Sequence, residues 1–170
     1  MNPTFNLQIK PDWSKIDAVR TRAAEFLGQH KIARDVVDAV SMVVCELVEN
    51  AIKYGHFDPP AAADIGVTID VEPRMITVEV KNPAGRGQDD NLSRLDRMIQ
   101  WIRGYQDPFQ AYFERIRVIS AQSLRSRESG LGLVRIAYEG QSVLDFYIGH
   151  DDVLAVSAAY HLDTADRVGR

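Results

Sequence analysis

The sequence predicts an α+β fold, a two-layer sandwich in which helices cover one face of a sheet. Three observations carry that expectation. Two pairs of short alternating runs, 65–71 with 76–80 and 143–148 with 153–160, are each joined by a brief turn and read as antiparallel hairpins. Before and between them lie longer stretches with apolar residues at helical spacing. Tight hairpins also leave no room for the crossover helices that parallel neighbours need, which argues against a doubly wound parallel sheet.

Taken in order, Thr4–Ile9 alternates Phe5, Leu7 and Ile9 with polar neighbours, the pattern of a half-buried strand. Pro11-Asp12-Trp13-Ser14 opens a helix that sets Ile16, Val19, Ala23, Phe26 and Leu27 on one face and ends near Gly28. A second helix is expected from about Ala33 to Tyr54, its buried stripe formed by Val36, Val40, Val43, Val44, Leu47, Val48 and Ala51. Gly55 supplies a stop, and Asp58-Pro59-Pro60 prevents continuation. The first hairpin turns at Glu72-Pro73-Arg74. The chain then becomes polar, and helical again over about 92–103 and 108–124, with 125–129 as an exposed connector. Gly130-Leu131-Gly132-Leu133 opens a helix that runs through Tyr138 to Gly140, and the last hairpin turns at Gly149-His150-Asp151-Asp152. Residues 163–170 read as a disordered tail, leaving 1–162 as one domain.

The composition sets limits on function. With 170 residues, 45% of them hydrophobic and 26% charged, the chain can bury a core of its own and is neither disordered nor fibrous. A net charge of −4 argues against a general nucleic-acid binder. No long apolar run and no basic-then-apolar amino terminus occur, so neither a membrane span nor a signal peptide is expected. The single cysteine, Cys45, cannot form an internal disulfide and fits a reducing cytoplasm; its place on the apolar pattern reads as packing.

The densest chemistry lies in Cys45–Gly55. Glu46, Asn50, Lys53 and Tyr54 follow one another at spacings of four, three and one, which stacks a carboxylate, an amide, a cation and a phenol along one helix edge. That set suits a metal-bound polyphosphate, although a solvated helix edge has the same pattern. Gly130 and Gly132 at the mouth of a helix allow close backbone approach and expose amides that favour an anion; glycine also starts helices for steric reasons alone. Asn82 emerges from a strand into a loop with Pro83, Ala84, Gly85 and Gly87, where it could read the edge of a base or simply build a turn. His30, His56, His150 and His161 are scattered over turns and strand ends and read as surface residues.

In this order, the Glu-x-x-x-Asn-Ala-x-Lys-Tyr helix, the hairpin ending in a polar, glycine-containing loop, the long polar helical insert and the Gly-Leu-Gly-Leu helix start resemble the GHKL ATPase/kinase superfamily over about residues 4 to 160. The resemblance implies the Bergerat, histidine-kinase-like ATPase fold, with a mostly antiparallel mixed sheet and a helical ATP lid over about 88–128. It implies ATP and Mg²⁺ as cofactors. Asn50 would give its amide oxygen to Mg²⁺, Lys53 would contact a phosphate, and Tyr54 would lie along the ribose or adenine. Ser129, Gly130, Leu131, Gly132 and Leu133 would lend amides to the phosphate tail, and Glu46 matches the general base. One loop departs from the family's Asp-x-Gly-x-Gly and reads Asn82-Pro83-Ala84-Gly85-Arg86. The Asn82 carbonyl can still accept from the adenine amino group, at about half the strength of a carboxylate. Ala84 needs an ordinary backbone conformation where the family has glycine.

No phosphoacceptor-histidine hairpin precedes the Glu46 helix, and no residues remain for a transducer domain. Within the superfamily the chain looks like the small stand-alone anti-sigma-factor and partner-switch serine/threonine kinases of bacteria. This resemblance implies a signal-transduction protein that phosphorylates a Ser or Thr of a STAS-domain antagonist, with a sigma factor or other regulator as a further partner and a homodimer as the assembly. Two other readings stand beside it. One is a nucleotide-gated module that sequesters a partner without catalysis, docking through Arg94, Arg97, Arg103, Arg115 and Arg117 with Trp101, Tyr105, Phe109, Tyr112 and Phe113. The other is a scaffold that keeps the fold but binds no nucleotide.

Overall fold

Alternation along the strands decides the architecture, because every second residue carries an apolar side chain to the same face and the helices close over it. The computed structural model describes residues 1–57, 63–85, 89–121 and 130–169. Five strands, β1 (Thr4–Ile9), β2 (Ile65–Val71), β3 (Met75–Pro83), β4 (Ser142–Ile148) and β5 (Val153–His161), form one sheet in the order β1-β2-β3-β5-β4. Each neighbouring pair is antiparallel, and no parallel pairing occurs among the described strands. The helices are α1 (Ile16–Gln29), α2 (Arg34–Tyr54), α3 (Asp89–Arg103), α4 (Pro108–Ala121) and α5 (Leu131–Tyr138). The architecture is the α+β sandwich expected from the sequence.

Register makes the inner face continuous. Leu7, Val67, Val80, Val156 and Phe146 form one row across all five strands, and Phe5, Ile69, Val78, Ala158 and Leu144 form the next. A one-residue slip would replace these with the polar row Asn6, Thr68, Glu79, Ser157 and Asp145, so burial of one face fixes the pairing. Against the inner face pack Val19, Ala23 and Leu27 of α1, Val36, Val40, Val44, Leu47 and Val48 of α2, and Val134 and Ile136 of α5, all in one hydrophobic cluster. No helix among the described residues is long and apolar enough to cross a membrane.

Three details depart from the expectations. Strand β3 continues past Val80 to Pro83, because Lys81, Asn82 and Pro83 pair with Ala155, Leu154 and Val153 of β5. The β2 side is already unpaired beyond Lys81, so the missing Pro83 N–H costs no ladder bond there. Helix α3 begins at Asp89, with Asp89 and Asp90 in its first turn where the helix dipole favours them. The carboxyl-terminal segment expected to be disordered is placed through residue 169. A 3₁₀ turn at Thr164–Asp166 is closed by a capping box between Asp163 and Asp166, Ile32 forms a bridge with Arg167, and the Val168 amide donates to the Lys31 carbonyl at 2.8 Å. The end of the second predicted long insert helix (122–124) and the connector 125–129 lie outside the described residues.

Ile76 is fully buried on the inner strand β3, whereas Val143 on the edge strand β4 is 61% exposed. Ile76→Ala is expected to cost about 2–5 kcal/mol, and Val143→Ala to stay within about 0.5 kcal/mol. Urea denaturation of the two variants checks this.

Candidate functional site

Helix α2 is held by its apolar stripe, and the residues flanking that stripe become walls of a cleft. Leu47 and Val48 are 2% and 0% exposed, while Glu46, Glu49 and Asn50 beside them are half-buried. The helix ends at Gly55, whose backbone is extended rather than left-handed (φ −66°, ψ 152°). Glycine is needed there for close approach: a Cβ would stand 2.5 Å from the Ala51 carbonyl oxygen and from the Phe57 ring. The His56 amide then donates to the Pro83 carbonyl at 2.9 Å, which ties the end of α2 to the end of β3.

That tie brings Asn82 under the cleft. Its position on β3 is in phase with Val78 and Val80, so its side chain takes the helix-covered face and is 4% exposed. Asn82 Nδ2 donates to the Pro83 carbonyl at 2.9 Å, which leaves the side-chain carbonyl as the group suited to accept a bond from a ligand. Ala84 is buried and its amide donates to the Asp152 carbonyl at 2.8 Å. The left-handed conformation falls on Gly85 (φ +68°), where a Cβ would meet the His56 ring at 2.7 Å. Gly85 therefore shapes the loop rather than lining the cleft.

The opposite wall is the start of α5. Gly130 is its N-cap with φ +63°, packed against the tip of Met98 on α3 and the Arg115 guanidinium on α4. At Gly132 a Cβ would stand 2.5 Å from Glu46 Oε2, so the second glycine makes room for a carboxylate that belongs to α2. Glu46 Oε1 accepts from Arg135 Nη1 at 2.5 Å, and the Glu46 side chain is only 14% exposed. Burial pushes the Glu46 carboxyl above the usual glutamate range; Arg135 opposes that shift, while Glu49 and Glu139 add to it.

Between these walls lies a cleft of about 980 Å³, at the upper end of the volumes of small-molecule sites. Nine of the twelve residues expected at the nucleotide site share its walls: Glu46, Asn50, Lys53, Tyr54, Asn82, Ala84, Gly130, Gly132 and Leu133. Lys53 Nζ lies 5.0 Å from the Tyr54 ring centroid, a cation–π contact at the rim. Leu131 packs on the core instead, and Ser129 lies outside the described residues. The floor is apolar, with Leu47, Val80 and Val156. Lys53, Arg94, Arg97 and Arg115 set four cations against the carboxylates Glu46 and Glu49 among the described cleft residues, in a chain whose net charge is −4. The site thus favours a polyanion that carries an apolar end.

Sequence reasoning did not find Trp13, Trp101, Glu49 or Met98 as cleft residues, nor Arg135 as the partner of Glu46. For Arg135 a signal existed: it is the one charged residue in the apolar run Leu131–Tyr138. Of the insert residues read as a docking face, Arg94, Arg97, Arg115 and Trp101 line the cleft. Arg117 pairs with Glu114 at 2.8 Å, and Phe109 and Phe113 are 46% and 56% exposed. Cys45 is buried, and burial raises its thiol pKa, with Arg20 Nε donating to the sulfur at 3.4 Å; both fit a packed residue.

Residues 9–138 match the model of the family described as the histidine kinase-like ATPase domain. Among solved structures, the chain is similar to a chain of the SiaB-SiaC complex from Pseudomonas aeruginosa, with 21% identity and a TM-score of 0.69, covering 92% of this chain and 88% of that one. No curated protein sequence matches at a significant level.

Gly130 adopts a left-handed backbone that a side chain disfavours. Gly130→Ala is expected to lower stability by about 1–2 kcal/mol, read from the midpoint of thermal or urea unfolding.

Proposed function

Because the chain belongs to the histidine kinase-like ATPase domain family, we propose that it binds ATP with Mg²⁺ in the cleft between α2 and α5 and transfers the γ-phosphoryl group to a Ser or Thr of a STAS-like protein antagonist. The observation that carries this reading is that Glu46, Asn50, Gly130 and Gly132 all line one cation-rich cleft with an apolar floor. The α5 amides and Lys53 suit a phosphate tail, and the floor with Asn82 suits a base. Asn50 offers a neutral oxygen of the hard type that Mg²⁺ prefers, in a half-buried position beside the phosphate wall, so the donor set fits that ion. Bound there with the phosphates, Mg²⁺ would supply charge neutralisation.

Glu46 has the features of a base for this transfer. It is half-buried, its pKa is raised, and it stands against the start of α5. In the step proposed, the acceptor hydroxyl gives its proton to Glu46 as its oxygen bonds the γ-phosphorus, the bond from that phosphorus to the bridging oxygen breaks, and ADP leaves. The similarity to a chain from a two-protein complex supports a protein acceptor, and the lone Cys45 thiol supports action in the cytoplasm.

A second reading, a nucleotide-gated module that sequesters a partner without transfer, is favoured by one observation: Asn82 and Ala84, the positions that depart from the family's loop, line the same cleft as Glu46 and Asn50. Both readings require nucleotide binding. MgATP at about a hundred times its dissociation constant is expected to stabilise the protein by about 2.7 kcal/mol, visible as a rise in melting temperature. No shift with ATP, ADP or GTP at millimolar concentration would count against both.

Glu46→Ala is expected to retain that shift yet lose phosphorylation of a STAS-domain protein from the source organism, as read by intact mass, while Asn50→Ala weakens the Mg²⁺-dependent part of binding. Wild-type transfer that persists in Glu46→Ala would remove the base assignment, and absence of transfer by the wild type to any such protein would favour the module. A carboxyl with a raised pKa keeps its proton to higher pH, and a base must have lost it. Turnover should therefore fall on acidification while the pH is still above the ordinary glutamate range, and a profile flat down to that range would contradict the assignment.

A further inference from the structure

Arg135 is the only charged side chain on α5, and it is tied down on both sides. Nη1 meets Glu46 Oε1 at 2.5 Å, and Nε meets Glu139 Oε2 at 3.0 Å. The other oxygen of Glu139 accepts from the Tyr112 hydroxyl at 3.4 Å, and the Tyr112 ring lies 5.1 Å from that of Tyr138. A guanidinium is a rigid planar fork, so fixing Nε on Glu139 also fixes the direction from which Nη1 holds Glu46. On its other side Glu46 lies against Gly132, where a Cβ would approach Oε2 to 2.5 Å. One oxygen of the carboxylate is thus held by α5, and the other faces the backbone at the start of the same helix, beside the cleft.

We propose that Arg135 is a positioning residue: it fixes the Glu46 carboxylate so that Oε2 is presented to the reacting hydroxyl or water, and Glu139 and Tyr112 hold Arg135 in turn and connect it to α4. The proposal deepens the reading of Glu46 as the base and rests on it for its catalytic consequence. Geometry accounts for the expected size of the effect. A misplacement of about 1 Å in a reacting group costs on the order of a hundredfold in rate. Loss of the clamp therefore acts on kcat, since Arg135 lies behind Glu46 and is not among the cleft residues that would meet nucleotide.

Two measurements test this on Arg135→Met and Arg135→Lys. The first is the titration of the Glu46 carboxyl by ¹³C NMR in the full chain without nucleotide. Among the described residues, the charged groups acting on Glu46 are Arg135 on α5, Glu49 on α2 and Glu139 beyond α5, with Cys45 its neighbour on α2 and Arg115 of α4 lying against Gly130 at the start of α5. Of these only Arg135 changes. Arg135→Met should move the Glu46 midpoint up, and Arg135→Lys should bring it partly back; a midpoint unmoved in Arg135→Met overturns the clamp. The second is conversion of MgATP to ADP with water as acceptor. Arg135→Met should lower kcat by about a hundredfold with KM for MgATP and the MgATP-induced melting shift unchanged, and Arg135→Lys should recover part of the loss. Unchanged kcat, or loss of the melting shift along with kcat, overturns the positioning role. A wild type that turns over equally well as Glu46→Gln removes the base reading instead, while the NMR titration still decides whether Arg135 holds Glu46.

Discussion

Burial of one stripe of α2 against an antiparallel sheet is the constraint on which the rest of the site depends. Val40, Val44, Leu47 and Val48 are at most 2% exposed, and each buried side chain of this kind contributes about 1.5–3 kcal/mol. Rotating the helix to move Glu46 or Asn50 would bring these residues into water, so the apolar stripe sets the azimuth of the polar edge. The sheet contributes the same kind of constraint from below. Register fixes which β3 residues face the helices, and Asn82 inherits the orientation of Val78 and Val80. The polar groups of the cleft are thus placed by apolar packing and need few contacts of their own.

The α5 wall works differently, through space left open. Gly130 takes a left-handed backbone to turn the chain into the helix, and Gly132 leaves room for the Glu46 carboxylate. Carrying a half-buried carboxylate there has a cost, which appears as a raised pKa even with Arg135 in contact. A plain surface helix would have no need of that cost. A carboxylate held at the edge of a cation-rich cleft, with its proton affinity raised and one oxygen engaged, is the feature on which the proposed base role rests.

The sequence made the local periodic features legible and left the long-range ones hidden. The strands, the five helices and the edge carrying Glu46, Asn50, Lys53 and Tyr54 follow from spacing within a few turns and formed in the expected order, with β3 and α3 longer than expected. The extension of β3 through Pro83 was hidden because it depends on pairing with β5, and a proline normally marks the end of a strand. The link from Glu46 to Arg135 spans 89 positions, and periodicity says nothing at that range. The carboxyl-terminal turn lies between these cases. Asp163 and Asp166 stood in the sequence at capping spacing, but the docking of Arg167 and Val168 on residues 31–32 follows from the fold alone.

Backbone amide NMR during titration with MgATP tests the central claim, that nucleotide sits between α2 and the start of α5. Saturable shifts are predicted for Asn50, Gly130 and Gly132 and their neighbours around the cleft, with Thr68 and Ser157 on the far face of the sheet unmoved. No shifts at millimolar MgATP, or shifts confined to that far face, would contradict the account.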